Sequence, residues 1–91
     1  MAKLDKDAKE RIKSNWNFGA GRVLKTVRED HKDTQEDLAS YLGISVSQYS
    51  RVELGKAGHW LHWLPLIALR YNWRVTDLIK EIESYSKRPH R

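Results

Sequence analysis

Cysteine is missing from the 91 residues. That removes disulfides, thiolate catalysis and zinc–thiolate sites from consideration, and it suits a reducing cytoplasm. Long apolar runs are missing too: no stretch nears the roughly 20 residues that cross a bilayer, so no membrane partner is expected. The first residues carry no secretory pattern, which again fits a cytoplasmic location. Nothing repeats internally. No glycine-rich phosphate loop, nucleophile beside a base, or pair of catalytic carboxylates can be placed, so neither an enzyme nor a cofactor is expected. His59 and His62 come closest to a metal-ligand spacing, but two ligands do not close a site, and no metal is expected.

What is present is a globular composition with a basic excess. Hydrophobic residues make up 40% and charged residues 32%, which suits one small domain with a modest core rather than a disordered chain. The formal charge of +5 points to an anionic partner, but it is unevenly spread. Residues 1–17 carry a net +2, residues 84–91 carry +3, and residues 18–83 are neutral. Any attraction of the central region for nucleic acid must therefore come from particular residues.

The chain reads as all-α. Leu4, Ala8, Ile12 and Trp16 form one apolar stripe, predicting an N-terminal amphipathic helix over 1–18. That stripe packs on the domain's own core, meets a second subunit, or belongs to a basic arm along DNA. Asn15, Asn17, Gly19 and Gly21 mark a break after it. A second helix runs from Arg22 to about His31, with Val23, Leu24 and Val27 inward and a polar turn at 30–33. Thr34 and Asp37 form an acidic capping box at the start of another helix, whose apolar face is Leu38, Ala39 and Leu42. Gly43 supplies the left-handed turn, Ser45 caps the next helix, Tyr49 and Val52 line its inner face, and Gly55 closes it. Two short helices joined by so tight a turn make a helix-turn-helix.

After the loop at 56–62, Pro65 belongs in the first turn of a helix starting near Trp63 or Leu64. Leu64, Ile67, Ala68 and Tyr71 face its core side, and Asn72 takes the C-terminal left-handed position. A last helix, about Val75 to Tyr85, turns Leu78, Ile79 and Ile82 inward. A basic flexible tail over 84–91 ends the chain, leaving 19–83 as the helix-turn-helix domain.

Gln35, Ala39, Gly43, Tyr49, Val52, Glu53 and Gly55 together resemble the Xre/Cro-type regulators, which include the lambdoid phage repressors. The resemblance runs from about Arg22 to Ile79. It implies a five-helix repressor-like domain, to which this chain adds the N-terminal helix. Tyr49 departs from the family's usual Ile or Val, and its ring would alter the helix crossing. The resemblance also implies that Arg28 pairs with Glu53 as a structural salt bridge, and that Gln35 bonds a phosphate from the start of the first helix of the motif. Helix-start amides suit an anion there.

The second helix of such a motif enters the major groove. Its outward residues are Val46, Ser47, Gln48, Ser50 and Arg51. Gln48 can pair with adenine, Arg51 with guanine or a phosphate, and Val46 can touch a thymine methyl. Lys56, His59 and His62 could hold a phosphate from the other side. Trp60 and Trp63 suggest a subunit interface, with Trp63 the better candidate for filling the core. The function expected is a sequence-specific regulator of double-stranded DNA, acting as a homodimeric repressor on an inverted repeat. The alternative is a protein-binding helix-turn-helix module, such as an antitoxin neutralising a partner toxin.

Overall fold

The computed structural model describes residues 5–88. Five α-helices follow one another: α1 (Lys6–Asp30), α2 (Gln35–Leu42), α3 (Val46–Glu53), α4 (Leu64–Tyr71) and α5 (Val75–Ser86). One 3-10 turn, Leu61–Trp63, leads into α4. The all-helical, five-helix expectation holds. Leu4 and residues 89–91 of the basic tail lie outside the described residues.

Most helix ends follow local chemistry. The Asp5 carboxylate accepts from the Ala8 amide at 2.7 Å and starts α1. Reciprocal capping boxes start α2 (Thr34 with Asp37) and α3 (Ser45 with Gln48). Gly43 at φ 75° ends α2 and Asn72 at φ 59° ends α4. Pro65 sits in the first turn of α4, where its missing amide hydrogen costs nothing.

The N-terminal helix is corrected. It is not a separate element, because α1 runs unbroken through Asn15, Asn17, Gly19 and Gly21, and the boundary expected at 18/19 falls mid-helix. The two glycines serve contact rather than a break. A Cβ on Gly19 would lie 2.6 Å from the Ile82 carbonyl oxygen of α5. One on Gly21 would lie 2.5 Å from the Glu53 oxygen and 2.6 Å from that of Val52, at the end of α3. Hydrogen at these positions lets one long helix touch the backbones of two others. Asn17, likewise read as a breaker, accepts from the Trp60 indole N–H at 3.0 Å.

α1 and α5 lie antiparallel, with Gly19 against Ile82 and Ser86, and Val23 and Val27 sharing a cavity with Tyr85 and Trp73. The core between the helices is formed by Leu24, Leu38, Tyr49, Val52, Leu64, Ile67, Leu78 and Ile82, all fully buried. Each aliphatic side chain there contributes about 1.5–3 kcal/mol of burial. Of the N-terminal stripe, Trp16 is half-buried against this core while Ile12 is 46% exposed. Three further expectations are corrected. Ile79 is 37% exposed, since Leu78 and Ile82 already fill the inward face of α5. α5 extends to Ser86, which is buried, so the tail does not begin at Ser84. Trp60 is buried like Trp63, which fills the core as expected, so neither ring is a subunit surface.

Gly21→Ala should destabilise the domain by about 1–3 kcal/mol in urea unfolding, because the obstructing atoms are backbone. Gly43→Ala should cost about 1–2 kcal/mol from φ alone, since nothing lies within 4 Å of its Cβ position. Asn at position 43 should recover part of that loss; Asn at position 21 should recover none.

Candidate nucleic-acid interface

The capping boxes and the glycine turn present α3 with Tyr49 and Val52 buried and Val46, Ser47, Gln48 and Arg51 exposed; Ser50 is half-buried. The Glu53 carboxylate fixes this orientation. Arg28 of α1 reaches it with two N–H groups, Nε to Oε2 at 2.7 Å and Nη2 to Oε1 at 3.1 Å. Gln35 Nε2, from the start of α2, donates to Oε1 at 2.9 Å. The Tyr49 hydroxyl, one turn back on α3, donates to Oε2. Three helices thus converge on one carboxylate, whose side chain is 4% exposed against 9% for that of Arg28. The remaining Arg28 nitrogen, Nη1, donates to the Asp33 carbonyl at 2.7 Å.

The electrostatics follow from this geometry. Burial pushes the Glu53 carboxyl up, but the hydrogen bonds from Arg28, Tyr49 and Gln35 outweigh it and hold it below its ordinary 4.5. The hydrogen bond to Glu53 raises the Arg28 guanidinium despite burial, and burial followed by the bond to Glu53 raises the Tyr49 phenol. The Tyr49 ring also stacks on Trp63 with centroids 6.0 Å apart. The departure from an aliphatic residue at this position therefore adds both a polar link and an aromatic one.

Gln35, expected at a phosphate, spends one amide N–H on Glu53; the second N–H of that group is unassigned. Around it, the α2 capping box engages the amides of Thr34 and Asp37. Gln35 and Glu36 keep the amides for which a helix start has no internal partner. Gln48 is the most committed of the outward α3 residues: its Oε1 accepts from the Ser45 amide at 3.0 Å and lies 3.3 Å from the Ser45 hydroxyl. Pairing both its amide groups with a base would mean releasing that cap, at about 1 kcal/mol. The Arg51 guanidinium makes one long contact, Nη2 to the Lys56 carbonyl at 3.4 Å, which brings these two residues together. His59 and His62 are exposed and meet Trp63 edge-on, with centroids 5.4 and 6.0 Å away.

Sequence reasoning missed a second node. Asp33 Oδ2 accepts from Arg70 Nε and from the Tyr71 hydroxyl, both at 2.7 Å, tying the α1–α2 turn to α4. The Arg70 hydrogen bond outweighs burial and lowers the Asp33 carboxyl, while burial and the bond to Asp33 push the Tyr71 phenol up to about 12. Arg70 also lies over the Tyr41 ring, at 4.8 Å. Asp33 lies 37 residues before Arg70 and 38 before Tyr71, a separation that carries no spacing signal.

Two short helices set by a left-handed glycine and anchored through a buried carboxylate define a helix-turn-helix protein. Residues 24–58 match the family model described as Helix-turn-helix. The match is to helix-turn-helix domains of the Xre and lambda Cro/CI-like type, a DNA-binding regulatory family that is not typically enzymatic. No curated protein and no solved structure matches the chain. Among the described residues, no helix is long and apolar enough to cross a membrane, and no three His, Cys, Asp or Glu side chains cluster as metal ligands.

Tyr49→Phe should leave the fold intact and cost about 1.5–3 kcal/mol, the worth of a hydrogen bond to a charged group. Glu53→Gln should cost more, about 3–5 kcal/mol, because Arg28 stays buried without its counter-charge. The Glu53 carboxyl is lowered in the folded state, so its stabilising effect is complete above pH 4.5 and is lost as pH falls through the folded value. Denaturant midpoints measured across acid pH should fall more steeply for the natural chain than for Glu53→Gln.

Proposed function

We propose that this chain is a sequence-specific regulator that binds double-stranded DNA through α3 in the major groove, acting as a homodimeric repressor on an inverted repeat in the cytoplasm. The observation that carries the reading is the division of α3. Tyr49, Val52 and Glu53 are locked inward, while Arg51 stands exposed on the same helix with a single long contact. Arg51 then reads guanine or a phosphate, Val46 meets a thymine methyl, and Ser47 and Ser50 add polar contacts to base edges. Gln48 joins them only by giving up its cap. Phosphates are held by Gln35 with the amides at the start of α2, and by Lys56, His59 and His62 on the far side of α3.

Dimerisation follows from reach. The eight residues of α3 span about 12 Å, enough for only a few base pairs, so two copies on successive turns of the duplex supply the remaining specificity. Exposed leucines 61, 66 and 69 offer an apolar surface for association, Leu69 being 77% exposed.

The same leucines, together with exposed Glu36 and Asp37 beside the phosphate position, favour a second reading. In it the helix-turn-helix serves a protein partner, as in an antitoxin that neutralises a toxin.

Selection from random duplex DNA at near-physiological salt separates the two readings. An enriched inverted repeat is expected; no enrichment by folded protein would overturn the regulator reading in favour of the second. On the selected site, Arg51→Ala should cost about 1–3 kcal/mol and relax preference at one base pair. Lys56→Ala should weaken all sequences alike and lower the salt slope by about one.

A further inference from the structure

A cavity of about 220 Å³ lies between α1 and α5, away from α3. Its floor is apolar, from buried Val23 and Val27, and half-buried Trp73 and Tyr85 form aromatic walls. Two carboxylates complete it, Asp30 from the last residue of α1 and Glu81 from α5.

Neither carboxylate has a hydrogen-bond or ion-pair partner among the described residues, in a chain whose basic residues outnumber its acidic ones by 17 to 12. Neighbouring acids are paired: Glu83 with Lys87 at 3.6 Å, and Asp33 with Arg70 at 2.7 Å. Two unpaired carboxylates over an apolar floor and beside two aromatic rings match a cation carried on a short methylene stem. The Tyr85 ring already accepts such a group, since the Arg88 guanidinium stacks on it at 4.2 Å without lining the cavity. The position at the end of α1 acts in the same direction, because a helix C-terminus favours positive charge. The volume lies below the 300 Å³ or so at which pockets begin to hold drug-sized molecules, which limits the occupant to a small one.

We propose that this cavity is a binding site for a small aliphatic amine, with Asp30 and Glu81 holding the ammonium, Trp73 and Tyr85 flanking it, and Val23 and Val27 covering the methylenes. The site is on the α1–α5 face and involves none of the residues assigned to DNA, so it stands or falls separately from the regulator reading.

The test is titration of the isotope-labelled full chain with 1,5-diaminopentane at constant ionic strength, following the Trp73 indole N–H by NMR. The expected result is a saturable shift at Trp73, larger than at the other three tryptophans and absent with 1,5-pentanediol. The double variant Asp30→Asn, Glu81→Gln, with an otherwise unchanged spectrum, should bind about tenfold more weakly or worse. Nα-acetyl-lysine amide separates the two sources of this chemistry. Tighter binding than the diamine would point to a lysine side chain of another protein, and weaker binding to a free amine. No saturable shift, an equal response to the diol, or undiminished binding by the double variant would overturn the proposal.

Discussion

The Glu53 carboxylate is where three helices of this small domain are made to agree. α1 delivers a guanidinium, α2 an amide and α3 a phenol, and each uses a different hydrogen-bonding geometry on the same two oxygens. An ion taken out of water at this depth is tolerated only when its lone pairs are filled, which this arrangement achieves. Hydrogen bonds also impose direction, which apolar contact does not. The pitch of α3 relative to α1 and α2 is therefore set by polar bonds, while Leu38, Val52, Ile67 and their neighbours supply the driving force for burial.

Close approach is the other constraint. The Arg28–Glu53 pair forms because α1 passes within contact of the end of α3, and Gly21 leaves room for that passage. Gly19 does the same for α5, and Asn17 fixes the loop by accepting from Trp60. A run of residues with weak helix propensity is thus held helical by what it touches. Propensity costs of about 1 kcal/mol per glycine are small against the burial that a continuous 25-residue helix secures.

These constraints divide the polar residues by availability. Arg28, Glu53, Asp33, Tyr49 and Tyr71 are committed inward, Gln35 and Gln48 are half-committed, and Arg51 is nearly uncommitted. An exposed face carrying few internal bonds on a helix whose other face is locked is what recognition of a rigid duplex calls for, since the scaffold must not move when the contacts form. The unpaired acids at the α1–α5 cavity mark a second surface with the same uncommitted character.

Local pattern was sufficient for much of this. The Thr34 and Ser45 caps, the left-handed Gly43 and Asn72, Pro65 in a first turn and the apolar faces of α2 and α4 depend on neighbours within four residues, and such signals are written directly in the chain. The outward set on α3 follows from the same periodicity. Tertiary structure decided the rest. Whether Gly19 and Gly21 break a helix or let another backbone in depends on what lies opposite them. Whether Trp60 is surface or core depends on Asn17, 43 residues away. Tyr49 could be read as apolar, but its hydroxyl acquires a role only once Glu53 is buried beside it. A side chain's spacing fixes the face on which it stands; only packing fixes what that face meets, because contacts across the core join residues whose separation in sequence carries no signal.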